Sequence, residues 1–503
     1  MTRRALACAL AAALTLAAGR GFAYDSATTH AGLTARAAMA SSLHRVLVAR
    51  LGLGLGVFEP LRLAPEHLHG IDPRTMIDRL AALDGAEGYR PDGALTESAL
   101  GWLMAGSVLE QVPAERGRNH FFDPRSGRGL DNHGLGASFI ERVLSALEDG
   151  GTFGGIFTGV NFDFTGAPSL AWLESPRNPL GVPAFLDARE RAATSELPAA
   201  RQTALAQALL AAGAILHVVE DAGDPAHVRN DFRRAFDVQV GDSVFDRTAR
   251  LERHTALAYG RGGVPAPRSK PFAARHLREL LVRADGEGLA QRTQRRFFSP
   301  GTLPRPISLT GMKTPAEVLR AVNAALPYPE PRVRRLDLDA AARGGAYLEA
   351  PGVGTLAAYR LTPRGVLEFN LDERTEAAYA RALLPEIGRY AAGALELLFR
   401  GRLAFETATP TSNPTSAATA GSALLVNRGV PLGRGQLTLL ADDARGRRRP
   451  FASYAVTNPV APDATLGRVA IPRGSTRLIA VFRGADAAGE PIVVVEDAAL
   501  PLK

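Results

Sequence analysis

Residues 212–231, AGAILHVVEDAGDPAHVRND, decide how the chain is read. Thr203 to Val219 is a run of Ala, Leu, Ile and Val with helical periodicity, and Gly223 and Pro225 end that helix. His217 and Asp221 lie four residues apart, so their side chains share one helix face with Cβ atoms about 5–6 Å apart. The turn through Gly223 and Pro225 can bring His227 back toward the same point. A lone histidine on an apolar helix is commonly an ordinary core residue. Three donors within eleven residues are another matter, because a buried His/Asp pair is costly unless it is paired or metal-bound. Zinc suits imidazole and carboxylate donors without thiolate, lowers the pKa of bound water toward ~7 and clamps phosphoryl oxygens.

Outward from this stretch, helical periodicity is best in Lys313 to Ala325 and Glu373 to Phe399, and Tyr24 to Phe405 is expected to be one all-helical unit. Gly150 to Phe185, rich in Gly, Phe, Pro and Asn, reads as a long loop with a short helix near Trp172. Residues 406–421, ETATPTSNPTSAATAG, lack apolar periodicity and read as a Thr/Ser/Pro linker. Beyond it, Ala423–Val426, Gln436–Leu440, Ser453–Val456, Leu466–Ile471, Arg477–Phe482 and Pro491–Val495 are short β-prone runs parted by Gly, Pro and Asp. The expected fold is therefore mainly α, an all-helical domain over 24–405 followed by a small β-sandwich over 422–503.

With 503 residues, 46% hydrophobic and 22% charged, the chain is globular in composition and long enough for more than one compact unit. Lys and Arg outnumber Asp and Glu by 59 to 51, which favours an anionic partner, although the excess is spread along the chain. Arg3 and Arg4 precede the apolar run Ala5 to Ala18, and Gly21-Phe22-Ala23 offers a small-residue cleavage site; residues 1–23 read as a signal peptide and the protein as secreted or periplasmic. The run is too short to span a bilayer, and no later segment is expected to do so. The single cysteine, Cys8, lies in that leader, so disulfides and thiolate ligands are excluded from the remainder.

The spacing of His217, Asp221 and His227 resembles that of the zinc-dependent phospholipase C family and its relatives, the single-strand-specific nucleases. The segment Asn119-His120-Phe121-Phe122-Asp123-Pro124 looks like the family's His-Phe-Tyr-Asp-Pro segment, whose histidine is a zinc ligand, and Thr29-His30-Ala31-Gly32 follows the expected cleavage site. By resemblance, one zinc ion takes the mature N-terminal residue Tyr24 through its backbone, with His30 and Asp221. A second takes His120, His217, the bridging Asp221 and a carboxylate upstream of His120. Simple register places Gln111 there, and Glu110 is the adjacent acid. A third takes His227 with a downstream pair four residues apart, for which Asp242 and Asp246 have the spacing but supply no imidazole; two to three zinc ions are implied.

The resemblance implies hydrolysis of a phosphodiester by zinc-activated water, with Asp221 and Glu110 as catalytic groups, Glu110 accepting or orienting the proton of the water. Phospholipid at a membrane surface is the first substrate expectation, given the His-Phe-Phe-Asp-Pro segment and the Phe-rich stretch Phe153 to Phe164. Single-stranded nucleic acid is the alternative, favoured by the positive charge. A further alternative is a secreted binding protein with a degraded metal site, motivated by the missing histidine near Asp242. No protein partner can be inferred.

Overall fold

The structure, a computed structural model, describes residues 26–63, 95–112, 114–131, 165–231, 250–326, 332–351, 353–407 and 419–501. A π-helical turn Ser26–His30 runs into α1 (Ala31–Ala40) and α2 (Leu43–Leu51), and β2 (Leu95–Ser98), paired antiparallel with β1 (Pro60–Leu63), leads into α3 (Ala99–Leu109). Then come α4 (Ser169–Glu174), α5 (Val182–Thr194), α6 (Pro198–Asp221), α7 (Arg250–Tyr259), α8 (Leu277–Leu281) and α9 (Leu289–Arg296). Downstream lie β3 (Ile307–Ser308), α10 (Pro315–Ala325), α11 (Leu338–Arg343), β4 (Ala346–Ala350), β5 (Gly354–Leu361), β6 (Val366–Asn370) and α12 (Glu373–Leu398). The chain ends in β7 (Leu403–Thr407), β8 (Thr419–Asn427), β9 (Leu432–Asp442), β10 (Arg448–Val456), β11 (Thr465–Pro472), β12 (Arg477–Asp486) and β13 (Pro491–Ala499).

The fold is thus mixed, and the expectation of a mainly α chain with one small C-terminal sandwich is corrected: 42% of the residues are helical and 24% in strands, spread over four sheets. The decisive element is a four-stranded antiparallel sheet, ordered β3-β6-β5-β4, inside the stretch expected to be helical throughout. With α10 and α11 it encloses its own core around Val322, Leu348, Leu356, Tyr359 and Leu367. Ala346-Tyr347-Leu348-Glu349-Ala350 is made largely of good helix formers, so its strand state comes from pairing with β5 rather than from local preference.

The last seven strands form two antiparallel sheets, β10-β9-β12-β13 and β11-β8-β7, packed on a shared core of Leu403, Leu425, Leu439, Phe482 and Val494. β7 spans the boundary expected at Phe405, and residues 408–418 of the expected linker lie outside the described residues. Alternation along β12 sends Leu478, Ala480 and Phe482 into that core and Ile479 and Val481 into the core of the helical part. β13 splits likewise, Ile492 and Val494 against Val493 and Val495, so this sheet is buried on both faces.

At the centre of the helical part, α3 crosses α6 at Gly106 and Gly213. A Cβ on Gly213 would sit 1.9 Å from the Leu103 carbonyl oxygen, and one on Gly106 2.0 Å from that of Leu210, so only glycine lets these backbones touch. α6 itself is long and apolar enough to cross a bilayer, contrary to the expectation that no later segment would be, but it is packed inside the fold.

Candidate metal centre

The last two turns of α6 carry His217, Glu220 and Asp221 into a buried cleft. The helix stops there because Ala222, Gly223 and Asp224 turn back on the carbonyls three residues earlier. Asp224 then accepts the Ala226 N–H at 2.8 Å, and the chain re-enters the cleft as a short 3₁₀ turn holding His227. His30 arrives from the π-helical turn before α1, and His120 from the 3₁₀ turn Ala114–His120. The Phe-Phe-Asp-Pro segment aligns the two loops: the Phe122 N–H donates to the His227 carbonyl at 3.1 Å, and the Phe121 ring stacks on His227 at 4.4 Å.

All four imidazoles converge on Asp221. Its oxygens lie 3.2 Å from His30 Nε2, 3.2 Å from His217 Nε2, 2.8 Å from His120 Nδ1 and 4.0 Å from His227 Nε2. His30 and His217 stack with centroids 3.8 Å apart, and each ring is fixed from behind. His30 Nδ1 meets Glu220 Oε2 at 2.7 Å, His227 Nδ1 meets Asp224 Oδ2 at 3.0 Å, and His217 Nδ1 meets the Ser107 carbonyl at 2.5 Å. That carbonyl belongs to the last turn of α3, where it has no intrahelical partner, and the Gly106/Gly213 crossing brings it within reach.

The protonation of His217 follows from this geometry. A carbonyl can only accept, so Nδ1 carries the proton and donates it. Burial, reinforced by the nearby His30 charge, pulls its pKa down to about 4 despite Asp221, so the ring is neutral and Nε2 is a bare lone pair. Facing it is Asp221, whose carboxyl is held well below its usual range, against burial, by the charge of the imidazoles that ring it. Two acceptors therefore confront each other at 3.2 Å in a dry cleft, and His217 Nε2, His120 Nε2 and Asp221 Oδ1 have no hydrogen-bond partner among the described residues.

The donor set fits a cation. His30, His217 and Asp221 form a fully buried group that can hold a metal ion, their ligand atoms all within 4.8 Å of one another. The 3.2 Å separations approach the edge of a tetrahedron with ~2.0–2.1 Å metal–ligand bonds, roughly 3.4 Å. Glu110, Glu220, Asp221 and Asp224 are all buried here, Arg116 pairs with Glu110, and Asp221 and Glu220 hold the His30 pKa up to about 9 against burial. The α6 C-terminus adds further negative potential.

Glu110, at the end of α3, closes the other side. Its Oε1 lies 3.5 Å from His120 Nε2 and accepts from Trp172 Nε1 at 2.8 Å, while Oε2 pairs with Arg116 Nη2 at 2.5 Å. Burial would raise its pKa, but Arg116, His120 and Trp172 together lower it, so it is held ionised. Burial works against the His120 charge as well, and Asp221 and Glu110 together raise its pKa.

No protein-family model, curated protein or solved structure matches the chain. Six of the nine residues singled out from sequence, His30, Glu110, His120, His217, Asp221 and His227, are thus brought together, whereas Tyr24, Asp242 and Asp246 lie outside the described residues. Sequence reading missed Glu220, Asp224 and Arg116, which orient the imidazoles and Glu110. The first two had a visible signal, being acids interleaved with His217, Asp221 and His227 in one motif. Beside the His227 turn lies a cavity of about 240 Å³ lined by Asp224, Ala226, Glu252, Phe298, Leu371 and Tyr379.

Proposed function

We propose that this chain is a zinc-dependent phosphodiester hydrolase of the phospholipase C type. The observation that carries the reading is the neutral His217 Nε2 facing the ionised Asp221 at 3.2 Å, an arrangement that a divalent cation between them would relieve. His30, His217 and Asp221 would hold one ion, and His120 and Glu110 with the shared Asp221 would hold a second, with His227 beside them. Zinc bound there supplies Lewis acidity toward a phosphoryl oxygen and a water acidic enough to lose its proton near neutral pH.

The chain's own residues supply the rest. Glu220, Asp224 and the Ser107 carbonyl fix ring orientation and tautomer. Glu110, tied to Arg116 and Trp172, is more a fixed anion that orients His120 than a strong base, because a carboxylate so stabilised binds a proton weakly. The cavity beside His227 favours lipid as the substrate. Phe298, Leu303, Phe369, Leu371 and Tyr379 give it an apolar wall suited to the glycerol and acyl side of a phospholipid.

The test is hydrolysis of phosphatidylcholine and of single-stranded DNA by the purified protein, wild type beside Asp221→Asn. Release of phosphocholine by the wild type alone supports the reading. Cleavage of DNA alone transfers the chemistry to nucleic acid, and activity on neither substrate with metal bound leaves a binding role.

A further inference from the structure

The opposite end of α6 carries a second feature, unconnected with the metal centre. Its first turns, the end of α5 and strands of the β10-β9-β12-β13 sheet enclose a cavity of about 240 Å³ at the junction of the helical part and the sandwich. Across the 24 residues of α6 the two ends lie roughly 36 Å apart. Four arginines line this cavity, Arg189, Arg201, Arg448 and Arg477, against two aspartates, Asp442 and Asp497.

Both aspartates are already committed. Arg448 grips Asp442 through Nε and Nη2 at 2.7 and 2.9 Å and reaches Asp497 at 2.7 Å, while Arg477 Nε meets Asp497 at 2.6 Å. Arg201 is held by the carbonyls of Ser195, Glu196 and Gly446 and lies 3.8 Å from Asp442. Arg189 is the exceptional one. It is only 3% exposed, and no carboxylate pairs with it among the described residues. Its Nη1 donates to the Leu398 carbonyl at 2.6 Å, its guanidinium lies 4.7 Å from the centre of the Phe399 ring, and its Nε meets no acceptor among the described residues.

The end of α12 offsets part of that charge through its carbonyls, and the remainder is uncompensated. Burial, with Arg50 and Arg400 nearby, pulls the Arg189 pKa down to about 9, which leaves it cationic at neutral pH. A buried guanidinium with no carboxylate beside it lowers stability. The N-terminus of α6 adds to the imbalance: Pro198 lines the cavity, the helix has no side-chain cap, and its first turn holds no acid.

We propose that this cavity is a binding site for a small oxyanion of the phosphate class, held by Arg189 and Arg201 beneath the N-terminus of α6. Arg189 without a carboxylate partner among the described residues, Arg201 sharing Asp442 with Arg448, a helix N-terminus and a volume suited to a phosphate or a small phosphomonoester define the ligand. The bound anion ties the sandwich to α5 and α6 and stabilises that junction.

Titration calorimetry of the full-length protein with inorganic phosphate, and separately with glycerol 3-phosphate, tests this. One saturable site is expected in the wild type and in Asp221→Asn, weakened at least about tenfold in Arg189→Gln and in Arg201→Gln. Should Arg189→Gln fail to fold, the less buried Arg201→Gln decides. Tighter binding of the ester identifies a phosphomonoester as the better occupant, and tighter binding of phosphate the free ion. Absence of binding by the wild type overturns the proposal, as does wild-type affinity in both arginine variants. So does binding lost in Asp221→Asn but kept in the arginine variants, because it would place the anion at the metal centre.

Discussion

Glu220→Gln separates a metal centre from a mere cluster of buried histidines. Glu220 is fully buried, meets His30 Nδ1 at 2.7 Å and accepts from Thr34 Oγ1 at 3.0 Å. Glutamine has the same shape, so packing survives, but the charge behind His30 is gone. The amide can also present its NH2 to Nδ1, which would stabilise the tautomer with the proton on Nε2, the atom needed for the metal. Loss of such an outer partner lowers metal affinity by about 10–100-fold, or ~1.4–2.7 kcal/mol. The upper part of that range is expected, because no solvent reaches the pair to replace the charge. The assay is competition for zinc against a chromophoric chelator at neutral pH, with circular dichroism confirming the fold. Affinity within about twofold of wild type, in a natively folded variant, would refute the assignment of His30 as a ligand oriented by Glu220.

Gly213→Ala should force α3 and α6 apart, because the new methyl would sit 1.9 Å from the Leu103 carbonyl; a loss of about 2–4 kcal/mol in chemical denaturation is expected, together with weaker zinc binding as Ser107 leaves His217. Wild-type stability would show that the crossing is not as tight as described. Burial pushes the Glu496 carboxyl from 4.5 up to about 7, with Arg50 and Arg402 only partly opposing it. A group that binds its proton more tightly when folded stabilises below pH 4.5 and loses that contribution as pH rises through 7, so the wild type should lose up to about 3 kcal/mol across this interval relative to Glu496→Gln. Parallel stability–pH curves for the two proteins would contradict this.

What sequence made legible was local. The i, i+4 pair His217 and Asp221, the break at Gly223 and Pro225, and the return of His227 all lie within one motif, so helix geometry alone places them together. His30 and His120 needed long-range packing and were reached through short motifs. The groups behind the imidazoles were less visible. The Ser107 carbonyl leaves no trace in side-chain identity, and Glu220 looks like any acid beside Asp221 until α1 packs against it.

The β3–β6 sheet was missed for a related reason. β4 and β5 are rich in Ala and Leu, whose local preference is helical, and their strand state depends on partners set by tertiary pairing. One signal was available in Thr362-Pro363-Arg364-Gly365, where Gly365 takes φ 70° and closes the turn between β5 and β6. β12 and β13 were easier to find because burial on both faces makes them nearly continuous apolar runs.

The most direct measurement is the zinc content of full-length protein, purified without chelator and analysed by inductively coupled plasma mass spectrometry beside Asp221→Asn. About two or more zinc ions per wild-type chain are expected, with a sharp loss in the variant, because Asp221 is, among the described residues, the one carboxylate within 4.0 Å of all four imidazoles. A wild-type protein that is fully folded, takes up no divalent metal when zinc is supplied and behaves identically to Asp221→Asn would contradict the account.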